Sequence, residues 1–310
     1  MTLQTNHLGS AAAVSIIVPT LASADRRDHL LRAVRSALAA SHGTVKVIVC
    51  VNGGRSDADS ISTVECIDGV ELHKLAEPSA PKAVAYGRSK VTTAFFGFLD
   101  DDDELLPGSL DTKLRAFFLQ PSCDVVAANG IRRTNGGDKI MLRRLNAVPL
   151  NPLGSLFEEN WLPSCGALFR TATVGQSYFD DHHEYAEWTW LAYRLAIDGK
   201  RVAVVDEPTF IVNDTGGSLS KSTAYRNAFL ALYERMLERK PPVSIRGVIR
   251  RRMANALHEL SNDRLNEGEL LESTRLHLRS LLLPGGLRYV SYSRRIGMAA
   301  LLGNRGNFTP

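Results

Sequence analysis

Short apolar runs alternate with amphipathic segments along the first third of the chain. VSIIVP (14–19) is rich in β-branched residues and ends at a proline, which is typical of a buried strand. DHLLRAVRSALAA, from Asp28 to Ala40, places its leucine, valine and alanine side chains on one helical face, and VKVIVCV (45–51) follows as a second strand. This order of strand, helix and strand favours a parallel sheet.

The same alternation continues to residue 99. VELHKL (70–75) is predicted to be a third strand, Pro81 to Val91 a helix, and AFFGFL (94–99) a central strand. The predicted fold is therefore α/β, with a Rossmann-like, mostly parallel sheet flanked by helices. Ligands of such folds bind beyond the carboxyl ends of the strands.

The second half of the chain predicts further strands and then helices alone. DVVAANGIRR (124–133) and CGALFR (165–170) have strand patterns, and RTNGGDKIMLRR between them resembles a hairpin. A helix is predicted from Glu187 to Ile197, with Gly199 ending it before the strand RVAVV. A further helix at 224–239 ends at two prolines, and two or three basic helices follow, near 246–260 and 269–283.

Composition and length place the chain among ordinary globular proteins. It has 310 residues, 44% of them apolar and 23% charged, which is enough for a substantial core. No apolar run reaches the roughly 18 residues that span a bilayer, and the first residues lack a secretory signal pattern. We therefore expect a cytoplasmic protein or one peripheral at the inner face of the cell membrane. The expected divisions are a flexible N-terminus (1–12), an α/β domain (13–240) and a basic helical C-terminal extension (241–310).

Charge is distributed unevenly. The extension carries eleven arginines, no lysine and five acids, a net charge of +6, which leaves −2 for residues 1–240. One interpretation is a membrane-surface patch, since arginines 288, 294 and 295 lie among apolar residues of 281–298. The other, slightly favoured, is a helical cap that packs those apolar residues against the catalytic domain. Nucleic acid is not expected as a partner, because no recognised binding motif accompanies the charge.

The segment FGFLDDDDELLPGSL places five acids, Asp100 to Glu104, directly after an apolar run. Adjacent like charges repel unless solvent or a cation neutralises them. Asn52 and Gly53 follow the second strand and should open at the same edge of the sheet. Such carboxylates suit Mg²⁺ or Mn²⁺ shared with substrate phosphates. A solvated turn that caps the helix of residues 109–119 explains the acids about equally well.

Four blocks of sequence, in order, resemble family 2 glycosyltransferases of the GT-A fold: VSIIVPT, VNGG, FGFLDDDDELLPGSL and YFDDHHEYAEWTWLAYRLAIDG. The resemblance covers about residues 13–220, and the aspartate block is its most specific part. It implies a metal-dependent inverting enzyme of cell-envelope polysaccharide synthesis. Such an enzyme would move a sugar from a nucleoside diphosphate donor, with a UDP-sugar favoured, to a hydroxyl of a glycan or lipid-linked glycan.

The resemblance also implies roles for residues. Asp102 would bind Mn²⁺ or Mg²⁺ directly with Asp100 beside it, and Asp101 would lie near the ribose or diphosphate. Pro19 and Thr20 would contact the nucleoside through their main chain. Asp103 and Glu104 are expected to shape the turn.

The sequence departs from the family pattern at two places near the donor. Val51 and Asn52 stand where two acids are usual, so Asn52 would contact the base through its amide. The family's Ala-Arg-Asn segment falls on residues 83–85, which read Ala-Val-Ala. Lys82 and Arg88 are the candidates to replace the missing cation. A solvated helix face also explains either residue, and for Arg88 that is the expectation.

An inverting transfer needs a carboxylate that deprotonates the acceptor hydroxyl. The family's Glu-Asp pair falls on Glu187 and Trp188, so Glu187 is the predicted catalytic base. Asp181 and Glu184, on the preceding loop, remain alternatives. Trp188 could stack on an acceptor sugar, whereas Trp190 is expected in the core.

The segment VNDTGGSLSKS (212–222) resembles the family's loop over the donor diphosphate. Its glycines 216 and 217 permit hinge motion, and Ser218, Ser220 and Lys221 could reach phosphate oxygens. A flexible connector is the alternative.

Two other functions explain part of the pattern. A catalytically silent nucleotide-sugar or glycan-binding protein on the same scaffold is suggested by the departures at residues 51, 84, 85 and 188. A metal-dependent nucleotidyl or phosphoryl transferase explains acids at a sheet edge, but not the Glu187 helix or the order of the blocks.

Overall fold

The computed structural model describes residues 13–214 and 223–303. Its strands are β1 Val14–Thr20, β2 Val45–Asn52, β3 Val70–Leu75, β4 Phe95–Phe98, β5 Glu104–Leu105, β6 Val125–Thr134, β7 Gly137–Ile140, β8 Ala167–Arg170 and β9 Val202–Asn213. Its helices before residue 215 are α1 Arg27–Leu38, α2 Ala58–Glu65, α3 Ala80–Ser89, α4 Ser109–Leu119, α5 Pro152–Leu156, α6 Ser177–Asp180 and α7 Glu187–Ile197. After residue 222 come α8 Thr223–Glu238, α9 Val243–Asn266, α10 Leu270–Leu281 and α11 Ser293–Gly303.

All nine strands in the described part of the chain belong to one sheet. Its order is β3-β2-β1-β4-β8-β6-β9-β5, with β7 paired to β6. The pairs among β1, β2, β3 and β4 are parallel, as is β6 with β9, whereas β8 pairs antiparallel with both β4 and β6. The predicted α/β class, with a mostly parallel sheet flanked by helices and helices following it, is confirmed.

The first strands form the core because almost every position is buried. Val14, Ile16 and Val18 of β1 pack with residues of β2 and with Leu30 and Val34 of α1. Helix α3 approaches β1 closely at Gly87, where a Cβ would lie 2.4 Å from Ile17 Cγ2. A side chain larger than hydrogen at residue 87 would therefore push α3 off the sheet.

The turn after β2 depends on glycine. Gly53 has φ +82°, and a Cβ there would lie 2.9 Å from Pro78 Cβ. Its N–H donates to the Leu75 carbonyl at 3.0 Å, which joins the ends of β2 and β3. Because this conformation strains any residue with a Cβ, the Asn-Gly order fixes where Asn52 stands at the carboxyl edge.

Most predicted elements are confirmed with small changes of boundary. The hairpin predicted at RTNGGDKIMLRR (133–144) is confirmed, since β7 pairs antiparallel with the end of β6, from the pair Ile131 and Ile140 to the pair Thr134 and Gly137. The strand predicted as RVAVV is longer and continues to Asn213, because β6 pairs with both halves of it and β5 pairs with Phe210 and Ile211. The prediction did not include β5, which has only two residues and lies within the acidic segment.

The described residues form two compact units, divided near residues 183–186 and after residue 214. In the second unit, Leu257 and Leu260 of α9 pack with Leu276 of α10. Ile296 of α11 is also buried, whereas Leu282, Leu287, Val290 and Met298 are exposed. No helix among the described residues is long and apolar enough to cross a membrane.

Two predictions lie partly or wholly outside the described residues. One is the N-terminal segment 1–12. The other is the 212–222 loop, whose hinge glycines and phosphate-contacting residues fall between Gly216 and Lys221. The domain boundary between residues 240 and 241 stays a prediction.

Candidate active site at the carboxyl edge of the sheet

The ends of β1, β2 and β4 meet at one edge of the sheet. Because the three strands are parallel, Thr20, Asn52 and the acids after Phe98 lie together. The Thr20 hydroxyl donates to Asp101 Oδ2 at 2.6 Å, and the Asn52 amide donates to the Thr20 carbonyl at 3.0 Å. The carboxyl edge of the sheet therefore brings together residues that the sequence placed there, and hydrogen bonds join Thr20 to Asp101 and Asn52 to Thr20.

Asp101 is the most firmly held acid of the segment. Arg26, at the end of a short 3₁₀ turn after β1, donates through Nε to Oδ2 at 3.1 Å and through Nη2 to Oδ1. The hydrogen bond with Asp101 raises the pKa of the guanidinium further above its usual range. Since both carboxylate oxygens are occupied and only 6% of the residue is exposed, Asp101 organises the loop.

Asp100 and Asp102 are partly exposed at the same edge. The Ser164 hydroxyl donates to Asp100 Oδ2 at 2.6 Å, and Arg26 Nη2 lies 3.2 Å from Asp102 Oδ2. Loss of solvation raises the pKa of Asp100 to about 6, and the charges of Asp102 and Asp101 act in the same direction. The carboxylates of Asp100, Asp101 and Asp102 therefore concentrate negative charge at an edge of the sheet where Asp100 is poorly solvated.

Asp100 and Asp102 suit a hard divalent cation, because their side chains are carboxylate oxygen donors. No group of three or more His, Cys, Asp or Glu side chains among the described residues could hold a metal by itself. Mg²⁺ and Mn²⁺ sites in nucleotide enzymes commonly use one or two carboxylates and complete their coordination with phosphate and water. Asp100 and Asp102 are two oxygen donors of this kind, and a cation would relieve the repulsion between them.

Asp103 and Glu104 have structural contacts, as expected. Asp103 Oδ1 accepts from the Asn213 N–H at 3.0 Å, and Oδ2 lies 3.6 Å from Cys165 Sγ. Burial raises the pKa of Asp103 to about 8. Glu104 pairs with Arg32 at 3.1 Å. These bonds fasten the turn to the end of β9 and to the segment before β8.

Neither cation suggested from the sequence for the donor phosphate lies against the acidic residues. Lys82 pairs with Glu77 on an exposed part of α3. The expectation for Arg88 was wrong, because this residue is only 6% exposed and its guanidinium lies 4.4 Å from the centre of the Phe96 ring. Nη2 of Arg88 donates to the carbonyls of Thr171 and Val174, at 3.3 and 2.9 Å. Arg88 is therefore a structural residue beneath the sheet.

Some of the groups that were expected to contact the nucleoside already form hydrogen bonds within the protein. The Thr20 carbonyl already accepts from Asn52, while Pro19 is partly exposed. Because the Asn52 amide N–H donates inward, its carbonyl oxygen is the atom of this side chain that can accept an N–H from a base.

The helix that begins with Glu187 is anchored near β4. Trp188 packs edge-to-face on Phe98, with 5.1 Å between ring centroids. Trp190 is buried, as expected, and donates to the Asp181 carbonyl at 2.9 Å. Since Phe98 directly precedes Leu99 and the acids, these contacts hold the start of α7 close to the strand that carries the acidic residues.

The alternatives to Glu187 have different surroundings. Asp181 Oδ2 lies 3.3 Å from Arg194 Nη1, so its carboxylate is stabilised by an ion pair with a largely buried arginine. Glu184 is exposed on the connecting loop. Asp181 and Glu184 stay alternatives to Glu187 as the base.

Sequence reasoning missed Arg26, Ser164 and Asn213. Arg26 is 75 residues from Asp101 along the chain, and Ser164 is 64 residues from Asp100. No local pattern connects such pairs, and only the parallel order of β1 and β4 indicates that residues after β1 can reach the acids.

Comparisons with known proteins support the architecture. The family model described as "Glycosyltransferase like family 2" matches residues 11–183. A search of curated proteins found no match. The fold resembles that of S. aureus TarS residues 1–349: the complex with UDP-GlcNAc is 15% identical, covers 92% of each chain and has a TM-score of 0.62.

Two further structures of the same TarS fragment are similar. The complex with UDP is 14% identical, with a TM-score of 0.62. The fragment described without a ligand is also 14% identical, with a TM-score of 0.58. Both alignments cover 96% of this chain and 93% of TarS 1–349. At this identity the likeness shows the fold, which is GT-A. Because the family model matches more than half of the chain, the protein belongs to glycosyltransferase family 2 and is a glycosyltransferase.

Proposed function

We propose that the protein is a metal-dependent, inverting glycosyltransferase that uses a nucleoside diphosphate sugar, with a UDP-sugar favoured. The observation that carries this proposal is the pair of partly exposed carboxylates, Asp100 and Asp102, beside Asn52 at the carboxyl edge of the sheet. TarS, which has the same fold, binds UDP-GlcNAc and UDP in its solved structures. The acceptor would be a hydroxyl of a glycan or lipid-linked glycan of the cell envelope.

Asp102 and Asp100 would hold Mn²⁺ or Mg²⁺, which supplies neutralisation of the negative charge on the leaving diphosphate. Ser164 orients Asp100 through its 2.6 Å hydrogen bond, while Asp103 fixes the loop to Asn213. Asn52 offers its carbonyl oxygen to the base. The protein's own contribution at this edge is an arrangement of oxygen donors that hydrogen bonds hold in place before the donor binds.

Glu187 is the proposed base. It opens α7, whose next residue packs on Phe98 beside the acidic segment. Glu187 would accept the proton of the acceptor hydroxyl as the oxygen attacks the anomeric carbon and the bond to the diphosphate breaks. Trp188, half-buried beside it, offers an aromatic face to the acceptor sugar.

The decisive experiment measures nucleoside diphosphate release from a panel of nucleotide sugars with Mn²⁺, with and without chelator. We expect release of UDP from one donor, abolished by the chelator and by Asp102→Asn. Asp138→Asn, which removes a carboxylate from the exposed β6–β7 hairpin, is the matched control and should keep full activity.

The result also separates the alternatives. Release of pyrophosphate or a nucleoside monophosphate would indicate a nucleotidyl or phosphoryl transferase. Metal-dependent UDP binding without turnover on any donor and acceptor would indicate a silent binding protein. Turnover that persists in Asp102→Asn would refute the metal assignment.

A partner surface is also proposed on the second unit. Leu271 and Leu278 of α10 and Leu282, which caps its carboxyl end, are 88%, 55% and 86% exposed. Their spacing of seven and four residues places them on one side of the helix. Leu287 and Val290, in the following 3₁₀ helix, are 73% and 57% exposed. Such an exposed apolar surface on a folded unit indicates an interaction site.

The charge around these leucines favours an anionic bilayer as the partner. Residues 270–303 contain five arginines and one acid, Glu272. Arginine stems pack on apolar surface while the guanidinium contacts lipid phosphate, which suits an interfacial helix. We propose that this surface holds the enzyme at the inner face of the cell membrane, close to lipid-linked acceptors.

Sedimentation with vesicles tests the surface. The protein should pellet with vesicles of equal parts phosphatidylcholine and phosphatidylglycerol, and not with phosphatidylcholine alone. The double variant Leu278→Ser, Leu282→Ser should stay in the supernatant. A wild-type dimer that these substitutions convert to monomer, with no vesicle binding, would instead assign the surface to a second copy of the chain.

A further inference from the structure

We propose that Arg26 binds the diphosphate of the donor and that it competes with the divalent cation for Asp102. The inference rests on the proposed function, and it adds a residue that no motif in the sequence indicates. It is carried by the contacts of one guanidinium with two neighbouring carboxylates at the sheet edge.

The Arg26 guanidinium contacts both Asp101 and Asp102 and is partly exposed. Nε and Nη2 of Arg26 form a two-pronged contact with Asp101, and Nη2 also reaches Asp102 Oδ2 at 3.2 Å. About a third of the Arg26 side chain, 31%, is exposed. Among the described residues, Nη1 has no hydrogen-bond partner and is not buried. Its two N–H groups are therefore available to a ligand.

The donor diphosphate needs a cationic side chain beside it. The family position that carries arginine is Val84 in this chain, and neither Lys82 nor Arg88 contacts the acidic residues. A diphosphate that shares a cation with Asp102 lies next to this carboxylate, which Arg26 already touches. The planar guanidinium matches phosphate oxygens and stays charged at any working pH.

The guanidinium of Arg26 is held in one orientation before a ligand binds. Asp101 is nearly fully buried and accepts from both Arg26 and the Thr20 hydroxyl, so it fixes the plane of the guanidinium. An arginine held in this way loses less rotamer entropy on binding phosphate than a free one. Asp101 is thus a positioning residue for Arg26, in place of the direct ribose or diphosphate contact expected from the sequence.

Arg26 and a divalent cation compete for the carboxylate of Asp102. A divalent cation at Asp102 meets the positive charge of Arg26 close by, and it takes the oxygen that Nη2 now contacts. Removing the charge of Arg26 should therefore strengthen binding of the bare cation and weaken binding of the diphosphate. These effects have opposite signs, whereas a collapsed loop would weaken both.

Titration calorimetry on the full chain tests the proposal with Mn²⁺ alone, UDP with Mn²⁺, and uridine with Mn²⁺. In Arg26→Gln, Mn²⁺ alone should bind several-fold tighter, because about 1 kcal/mol or more of repulsion is removed. UDP should bind roughly 10-fold to 100-fold more weakly, as expected for loss of a hydrogen bond between charged groups. Uridine affinity should not change, and Arg26→Lys should recover part of the UDP affinity.

The controls distinguish failure of this inference from failure of the proposed function. Arg144→Gln, which removes an exposed arginine paired with Glu158, should behave as wild type. Unchanged UDP affinity in Arg26→Gln would refute the role of Arg26, and weaker Mn²⁺ binding in that variant would refute the competition. If the wild-type protein binds neither UDP nor Mn²⁺, the proposed function fails and this inference fails with it.

Discussion

Lys113 carries a charge in the core that the fold does not neutralise. It lies on α4 and is 1% exposed, and its ammonium donates to the Cys165 carbonyl at a long 3.5 Å. No carboxylate among the described residues forms an ion pair with it, and the Phe210 ring lies 5.9 Å away. Burial lowers the pKa of Lys113 from 10.5 to about 8.

This pKa change predicts a cost of folding that depends on pH. The folded protein releases the Lys113 proton near pH 8, whereas the unfolded chain keeps it until about 10.5, so the unfolded chain binds more protons between these values. Stability should therefore rise with pH through this window, and the full cost is present below pH 8. At 1.36 kcal/mol for each pH unit, the cost is about 3 kcal/mol.

Lys113→Met keeps the length of the side chain and removes the charge. The variant also loses the hydrogen bond to the Cys165 carbonyl, which costs about 1 kcal/mol. We therefore expect a net stabilisation of about 2 kcal/mol at neutral pH, measured as the free energy of unfolding in urea. The gain should shrink as the pH rises from about 8 to about 10.5, because wild-type Lys113 is then neutral in the folded state.

Lys139→Met is the matched control, since Lys139 is exposed on β7. It should change neither the stability nor its dependence on pH. A destabilised Lys113→Met at neutral pH, or a gain that persists unchanged at alkaline pH, would refute the reasoning. The first result would mean that Lys113 has a partner worth more than its desolvation.

Two further predictions concern the base and the packing of α3. Glu187→Gln should lower kcat by about 10²-fold to 10⁴-fold with little change in the KM for the donor, whereas Asp181→Asn should retain most of the activity; the reverse result would move the role of base to Asp181. Gly87→Ala should lower stability by about 1–3 kcal/mol, because its Cβ would lie 2.4 Å from Ile17 Cγ2 and 3.0 Å from Cys50 Sγ. Gly175→Ala, where no atom lies within 4 Å of the added Cβ, should leave the denaturation midpoint unchanged.

The sequence predicted the elements whose environment leaves a local pattern. Every residue of β1 except Pro19 is buried, so the strand appears as a continuous apolar run, and α7 was predicted from residue 187 to 197, as the structure has it. The two-residue β5 leaves no such pattern, because its pairing with β9 lies more than 100 residues away. Short strands of this kind depend on tertiary contacts alone.

The site was predictable to the same degree. The acids after β4 and Asn52 after β2 follow strand ends, which parallel pairing brings together. The partners of these acids could not be predicted, since Arg26 and Ser164 lie 75 and 64 residues away from them along the chain. Arg88 was wrongly expected on a solvated helix face. Helical periodicity gives the face on which an arginine lies, but not its tertiary contacts, which here are the Phe96 ring and the carbonyls of Thr171 and Val174.

The order of strands in the sheet also has a consequence for synthesis on the ribosome. β4 pairs with β1 on one side and with β8 on the other, and β8 is translated about 70 residues after β4. At 5–20 residues per second, this interval lasts about 4–14 s. During that time the nascent chain carries the phenylalanines of β4 on a strand with one open edge, so protection of this edge by chaperones matters most between translation of Phe98 and of Ala167.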